Sequence, residues 1–420
     1  MIAATSPIQR PRGAKLLVVR ADGELVHAPR SSFVEFLSRG DLVIANDAAT
    51  LPASLHAVHL RSGRTIEVRL AGHLPPVSCR RAALRVRFKI TRSAALQGCP
   101  RGGCRPKGLR YMSPRAILKR TLKGCATSAI RFVAVVFGEG DYRTRTEDRP
   151  PPPALAAGDR LALGSLVATV DTLLDHPRLL SLHFEGCSSE VWAGLARHGR
   201  PIQYAHLAEP LAMWDVWTPI ASVPVAFEPP SAGFALDWAA LRALRDRGID
   251  FATLTHAAGI SSTGDPELDR RLPFDEPYEI PRATAAAIRR ARARGGRVVA
   301  VGTTVVRALE HAARRRGGIR AGRGVATGRL GPSTCLRVVD AILSGTHEPD
   351  SSHYQLLRAF ADDDTLARAS AALEAGGYLT HEFGDSMLVE RTRPACADAP
   401  ACYWLSNSPS TLPSVSAMRP

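Results

Sequence analysis

Apolar side chains along this chain are spaced two apart through much of its first half and take up a helical spacing after about residue 188. Residues 14–29, AKLLVVRADGELVHAP, hold two strand-like runs around an Asp-Gly turn and predict a hairpin. Residues 42–47, LVIAND, form a short apolar run that ends in polar residues, the pattern of a buried strand delivering side chains to a site. RTIEVRL, RFVAVVFGEG, DRLALGSLVATVDTLL and RLLSLHFEG then follow at period two between Gly, Pro, Asp and Ser turns. They predict a small antiparallel barrel or sandwich, punctuated by the prolines at 150–153.

Beyond residue 188, helical windows alternate with buried strands. SAGFALDWAALRALRDRG offers Ser231 as a cap, an apolar face through Leu236, Ala240 and Leu244, and Gly248 as its stop, with the strand IDFATLTH next. PRATAAAIRRARARGG starts on Pro281, ends on Gly295-Gly296 and leads into the strand RVVAVG. Alternation of this kind predicts an α/β fold: a mostly parallel-sheet α/β domain with an inserted small antiparallel β-barrel domain. The expected boundaries are 1–60 and 190–391 for the discontinuous α/β domain and 61–189 for the barrel with a basic insertion, followed by a disordered tail at 392–420.

Charge adds one feature. The 420-residue chain carries a formal +16, and residues 68–138 contain no Asp or Glu while arginines and lysines accumulate, among them Arg80, Arg81, Arg85, Arg87 and Lys89. Such a field attracts polyanions, so these side chains are the expected RNA contacts. No window is apolar enough to span a membrane, and residues 1–13 lack a signal-peptide core, so a soluble, cytoplasmic, monomeric protein is expected. The eight cysteines are scattered and read as free thiols; Cys99 and Cys104 lack the further ligands of a zinc set, and no metal is expected.

In VVAVGTTVVRALE, residues 298–310, a buried strand runs through a glycine turn into a helix whose first N–H groups face the end of the strand. Ligands collect at that edge of open α/β sheets. VIANDAATLPASL, PPSAGFAL, TLTHAAGISSTG, VGTTVVRALE, RVVDAILSGTHEP and EFGDSMLVE occur in this order. Together they resemble the S-adenosylmethionine:tRNA ribosyltransferase-isomerase family of queuosine biosynthesis, over roughly residues 14–60 and 200–390.

That resemblance implies an α/β domain carrying an inserted β-barrel, with S-adenosylmethionine as ribosyl donor and tRNA as partner. The acceptor it implies is 7-aminomethyl-7-deazaguanine, and the product epoxyqueuosine. A sulfonium acidifies the adjacent C5′ hydrogens, so a base is required before adenine can leave. On the matching positions, His256, Arg307, Asp340 and His347 are the catalytic candidates, with His256 favoured as the base because a neutral imidazole accepts protons near pH 7. Asn46, Asp47, Ala232, Gly233, Gly302, Thr303, Thr304 and Asp385 are the candidates for holding S-adenosylmethionine.

The chain departs from the family pattern at four polar positions, where it has Ala49, Ser54, Ala235 and Phe274. It also carries Gln203, Tyr204, His206, Trp214 and Trp217 in a stretch that could build an aromatic pocket for a base or sugar. The whole reading requires the separated segments to converge, with His256, Arg307 and Asp385 facing one cavity.

Overall fold

A computed structural model describes residues 1–74, 129–314, 318–349 and 351–392. The expected RNA contacts Arg80, Arg81, Arg85, Arg87 and Lys89, the Cys99/Cys104 pair and the tail from 393 lie outside the described residues. Among those described, no helix is long and apolar enough to cross a membrane.

The α/β domain is built on a nine-stranded sheet. Its centre is parallel: Asp250–His256, Leu42–Asn46, Val298–Val301 and Ala341–Gly345 lie side by side in that order. Antiparallel strands extend it on both sides, Glu276–Ile280 and Gly322–Ala326 at one edge and Ser386–Glu390 beside Ala341–Gly345 at the other. The predicted hairpin, Lys15–Val19 with Leu25–Pro29, completes that second edge. Helices cover both faces, which is why the central strands read as unbroken apolar runs. Leu42 and Ile44 pack on one side with Ile288, Leu309 and Leu366. Val43 and Ala45 pack on the other with Leu244 and Phe33.

The helix expected from Ser231 starts later. Ser231–Ala235 forms a 3₁₀ turn, and the helix Trp238–Asp246 is capped by Asp237, whose carboxylate accepts from Ala240 N. An ionised Asp is a cap as effective as serine, and here it holds the position that satisfies a free N–H of the first turn. Pro281 and Gly295, at φ 71°, bound the helix Arg282–Ala293 as expected.

Six antiparallel strands close into a barrel, from Ser54–His59 to Leu179–Phe184. Alternate residues Ile66, Val68 and Leu70 point inward against Phe132, Val136 and Leu180. The chain leaves for the barrel after Ala48–Thr50 and comes back at Val223–Ala226, and these two segments pair in parallel. An apolar seam of Val135, Phe137 and Leu179 from the barrel with Ile260, Leu268 and Leu272 from the α/β domain binds the two together. Cysteine chemistry corrects one expectation: Cys187 is a free thiol, but Cys335 is disulfide-bonded.

Glu67 and Arg69 on the barrel strand Thr65–Leu74 face outward, opposite to Ile66, Val68 and Leu70. Arg69 and Arg149, both buried, converge on the carboxylate of Glu67. Burial pushes the Glu67 carboxyl up, but the two guanidiniums more than offset this and leave it below the usual carboxylate range. A carboxyl depressed in the folded state stabilises above its unfolded range and loses that contribution as acid protonates it. Glu67→Gln should therefore lower stability at neutral pH by about 3–5 kcal/mol, because two buried cations lose their counter-charge. Denaturant titrations at pH 7 and in acid check this, and the variant should show a flatter loss of stability toward low pH than the parent.

Candidate functional site

All four parallel strands end on the same edge of the sheet, at Asn46, His256, Val301 and Gly345. The turn after Val301 is made by Gly302 at φ 93° and ψ 155°, backbone that only glycine adopts readily. It swings the chain into the helix Thr303–Ala313 and presents that helix's free N–H groups to the space above the sheet. Ala232, in the 3₁₀ turn, faces it closely: a Cβ on Gly302 would stand 3.4 Å from that of Ala232. Gly302, Thr303, Thr304, Ala232 and Ser231 line a cavity of about 490 Å³. That is within the range of small-molecule sites.

One carboxylate organises the floor of this cavity. Glu276 receives the Arg307 guanidinium on Oε2 and the Gly259 N–H, at 2.6 Å, on Oε1. Arg307 also donates to the carbonyls of Phe274, Ala326 and Gly328, so one side chain fastens the helix to two other segments. Burial lowers the Arg307 pKa to about 10, which still leaves it charged at neutral pH. Arg307, Glu276 and Gly259 all line the cavity.

A second cavity of about 630 Å³ adjoins the first, and Glu228, Ser261, Leu272, His347 and His353 belong to the walls of both. Its outer wall brings Arg145 and Glu147 from the segment between barrel strands together with Tyr204, His206, His381 and Glu382. Glu228 Oε1 accepts hydrogen bonds from the Tyr204 hydroxyl and from Ser261 N at 3.0 Å. Burial raises the Glu228 carboxyl to about 7 despite those bonds. His347 and His353 stack with ring centroids 4.6 Å apart, and burial holds both below the usual imidazole range, so both are neutral at pH 7. His206 stacks on His381 at 4.3 Å, and its Nε2 lies 3.0 Å from Glu382 Oε2. Among the described residues, this His206–His381–Glu382 trio is the group whose ligand atoms, within 4.8 Å of one another, could converge on a metal ion.

The expected site residues divide clearly. Ala232, Gly302, Thr303, Thr304, Arg307 and His347 come together around the cavity. Asn46 lies beneath it and stitches two strand ends: its amide donates to His256 O and accepts from His256 N, both at 2.9 Å, with a longer contact to Thr304 Oγ1. Asp47 accepts from the hydroxyls of Thr253 and Thr255 and is outside both cavities. Gly233 packs against Thr218, where a Cβ would come within 3.0 Å.

Three expectations need correction. His256 is fully buried and lines neither cavity, and burial together with Arg307 drives its imidazole well below the usual range. Its Nε2 sits 3.4 Å from Glu276, so it packs behind that carboxylate rather than facing a ligand. Asp340 stands at the opposite edge of the sheet, ahead of Ala341–Gly345, held by Arg292, Arg391 and Val298 N. Asp385 reaches the correct edge, but its two oxygens accept from Lys15 N and Leu379 N, so it braces the backbone instead of meeting His256 and Arg307 at the cavity. Of the anticipated aromatic pocket, Tyr204 and His206 reach the second cavity. Gln203 bonds its own loop, Trp217 donates to Thr50 O, and Trp214 is 74% exposed.

Sequence reasoning missed Glu228, Glu276, His353, His381 and Glu382. Glu276 carried a usable signal, since a Glu at the start of the alternating strand EPYEI points inward with Tyr278 and Ile280. Glu228 carried a weaker one, an acidic residue set between an apolar strand and two prolines. The four departures from the family pattern, Ala49, Ser54, Ala235 and Phe274, line neither of the joined cavities.

A family profile and curated relatives point to one group. A family profile described as "Queuosine biosynthesis protein" matches residues 1–102 and 116–389. The S-adenosylmethionine:tRNA ribosyltransferase-isomerase of Sorangium cellulosum is 32% identical over 403 residues, covering 93% of this chain and 95% of that protein. The protein of the same name from Thiobacillus denitrificans is 36% identical over 294 residues, 67% of this chain and 83% of its own length. A crystal structure of S-adenosylmethionine tRNA ribosyltransferase from Thermotoga maritima covers 92% of this chain at 20% identity, with a TM-score of 0.43.

The tie beneath the cavity can be tested by itself. Asn46→Ala would orphan the buried N–H of His256, whose carbonyl keeps the Ala258 N–H, and an unpaired backbone group costs about 1–3 kcal/mol. Urea unfolding should show a loss in that range, whereas Asn46→Asp, which keeps the acceptor oxygen, should lose less.

Proposed function

This chain belongs to the queuosine biosynthesis protein family, and from that premise we propose that it transfers and isomerises the ribosyl moiety of S-adenosylmethionine onto 7-aminomethyl-7-deazaguanine in tRNA. The product is epoxyqueuosine, with adenine and methionine released. The observation that carries the reading is the Gly302-Thr303-Thr304 turn closing against Ala232 at the carboxyl edge of the parallel strands. In this reading the inner cavity takes the adenosyl group of S-adenosylmethionine, with the free N–H groups of the helix at one wall and Arg307 fixing the floor. The outer cavity, which the inner one opens into, takes the flipped acceptor base. Holding two large substrates in adjoining spaces supplies much of the acceleration by itself.

The acid-free stretch at 68–138 supports the tRNA half of the reading from sequence alone, with Arg80, Arg81, Arg85, Arg87 and Lys89 as phosphate contacts. Asn46 and Asp385 act through the backbone they hold, Asp47 through the Thr253 and Thr255 hydroxyls, Gly233 through its packing against Thr218, and His256 through Glu276.

Purified protein incubated with S-adenosylmethionine and tRNA carrying the aminomethyl base should release adenine in step with the gain of a ribosyl-derived mass on the tRNA. Omitting the tRNA should abolish adenine release. Adenine formed equally well with a small amine and no RNA would overturn the proposed acceptor. Tight, salt-sensitive tRNA binding with no adenine under any condition would overturn the enzymatic reading.

A further inference from the structure

We propose that Glu228 is the proton-transfer residue of this site, taking the C5′ proton of bound S-adenosylmethionine and passing it to the departing adenine, with Tyr204 as its positioning residue. This rests on the function proposed above and names the group that function requires.

Position comes first. Glu228 directly precedes the Pro229-Pro230-Ser231-Ala232 segment that forms the wall opposite the Gly302 turn, and the residue lines both cavities. A ligand bridging the two spaces passes this group. The other candidates are worse placed: His256 lines neither cavity, and Asp340 is at the far edge of the sheet. His347 lines both cavities, but burial with His353 and His381 nearby holds it well below the usual imidazole range, which makes it a weak base.

The surroundings of Glu228 are built rather than incidental. The Tyr204 hydroxyl and Ser261 N both donate to Oε1, so the carboxyl is held in one orientation by two segments far apart in the chain. The charged and titratable groups acting on it are Tyr204, Arg69 from the barrel strand Thr65–Leu74, and Glu382 from the segment after Leu379–Thr380. Burial and Glu382 favour the neutral form, and the hydrogen bonds from Tyr204 and Ser261 favour the carboxylate. Its pKa of about 7 lets it exchange a proton in both directions near neutrality. A carboxyl with the ordinary acidity of glutamate would be a far weaker acceptor.

The step balances within the substrate. The C5′–H bond breaks, an O–H bond forms on Glu228, and the electron pair left on C5′ closes a C4′–C5′ double bond. The C4′–O4′ pair becomes the C1′–O4′ carbonyl as the C1′–N9 pair leaves with adenine, which takes the proton from Glu228. No oxidant, reductant or metal enters.

Single-turnover adenine release at saturating S-adenosylmethionine and tRNA, with ligand affinity measured separately by calorimetry, tests this. Glu228→Gln should slow release by at least ~10²-fold while S-adenosylmethionine binds as in the parent. The parent's rate should rise with pH through about 7, as the carboxylate forms, and Glu228→Gln should lose that limb. Tyr204→Phe removes a hydrogen bond to the charged form, so its limb should move to higher pH. A Glu228→Gln protein that binds S-adenosylmethionine and releases adenine at the parent rate overturns this proposal alone. Loss of adenine release together with loss of binding, or a Tyr204→Phe limb that does not move, assigns the pair a structural role and overturns it as well. A parent protein that releases no adenine overturns the function proposed above and this assignment with it.

Discussion

The Arg307–Glu276 ion pair is the constraint from which the rest of the site follows. A buried pair of this kind loses its hydration on folding and is retained only where the geometry satisfies its remaining hydrogen-bonding groups. Here that condition is met by four segments at once, since Arg307 in its helix reaches carbonyls beside Glu276 and at residues 326 and 328, and Glu276 takes the Gly259 N–H. Breaking the pair would leave an uncompensated charge under the cavity and release the helix, the glycine loop and the edge strand from one another. The pair therefore ties the helix that follows the Gly302 turn to the Gly259 loop.

Much of this was legible in the chain itself, because the elements concerned obey simple periodicities. The central strands betrayed themselves as unbroken apolar runs, since helices cover both faces of the sheet, and the barrel strands as alternations, since one face fills the barrel. The glycine-threonine turn was readable as a ligand edge because its conformation demands glycine and its helix start demands partners. What stayed hidden depends on three-dimensional pairing. Nothing local distinguishes Asp340, which braces the far edge of the sheet, from Asp385 at the near edge, and nothing local announces that both oxygens of Asp385 are already taken by backbone. His256 illustrates the same limit: a histidine at a strand end is an attractive base until its ring is found behind Glu276.

The barrel does more for the site than append a second unit. Its connecting segments run beside the sheet edge, paired as Ala48–Thr50 and Val223–Ala226, so the chain re-enters the α/β domain immediately before Glu228 and the proline turn. Arg69 stacks over Phe137 and faces the ring of Tyr204, which links the barrel's buried charges to the outer cavity. The two units thus meet in an apolar seam on one side and a polar, titratable wall on the other.

Gly302 has a consequence for how such a site can change over evolutionary time. Its positive φ turns the main-chain donors of the helix start toward one wall, and almost any replacement residue would strain the backbone there. Recognition written into the main chain cannot be edited one codon at a time. Novelty in what the cavity accepts is therefore confined to the side chains that face it, such as those of residues 228–232.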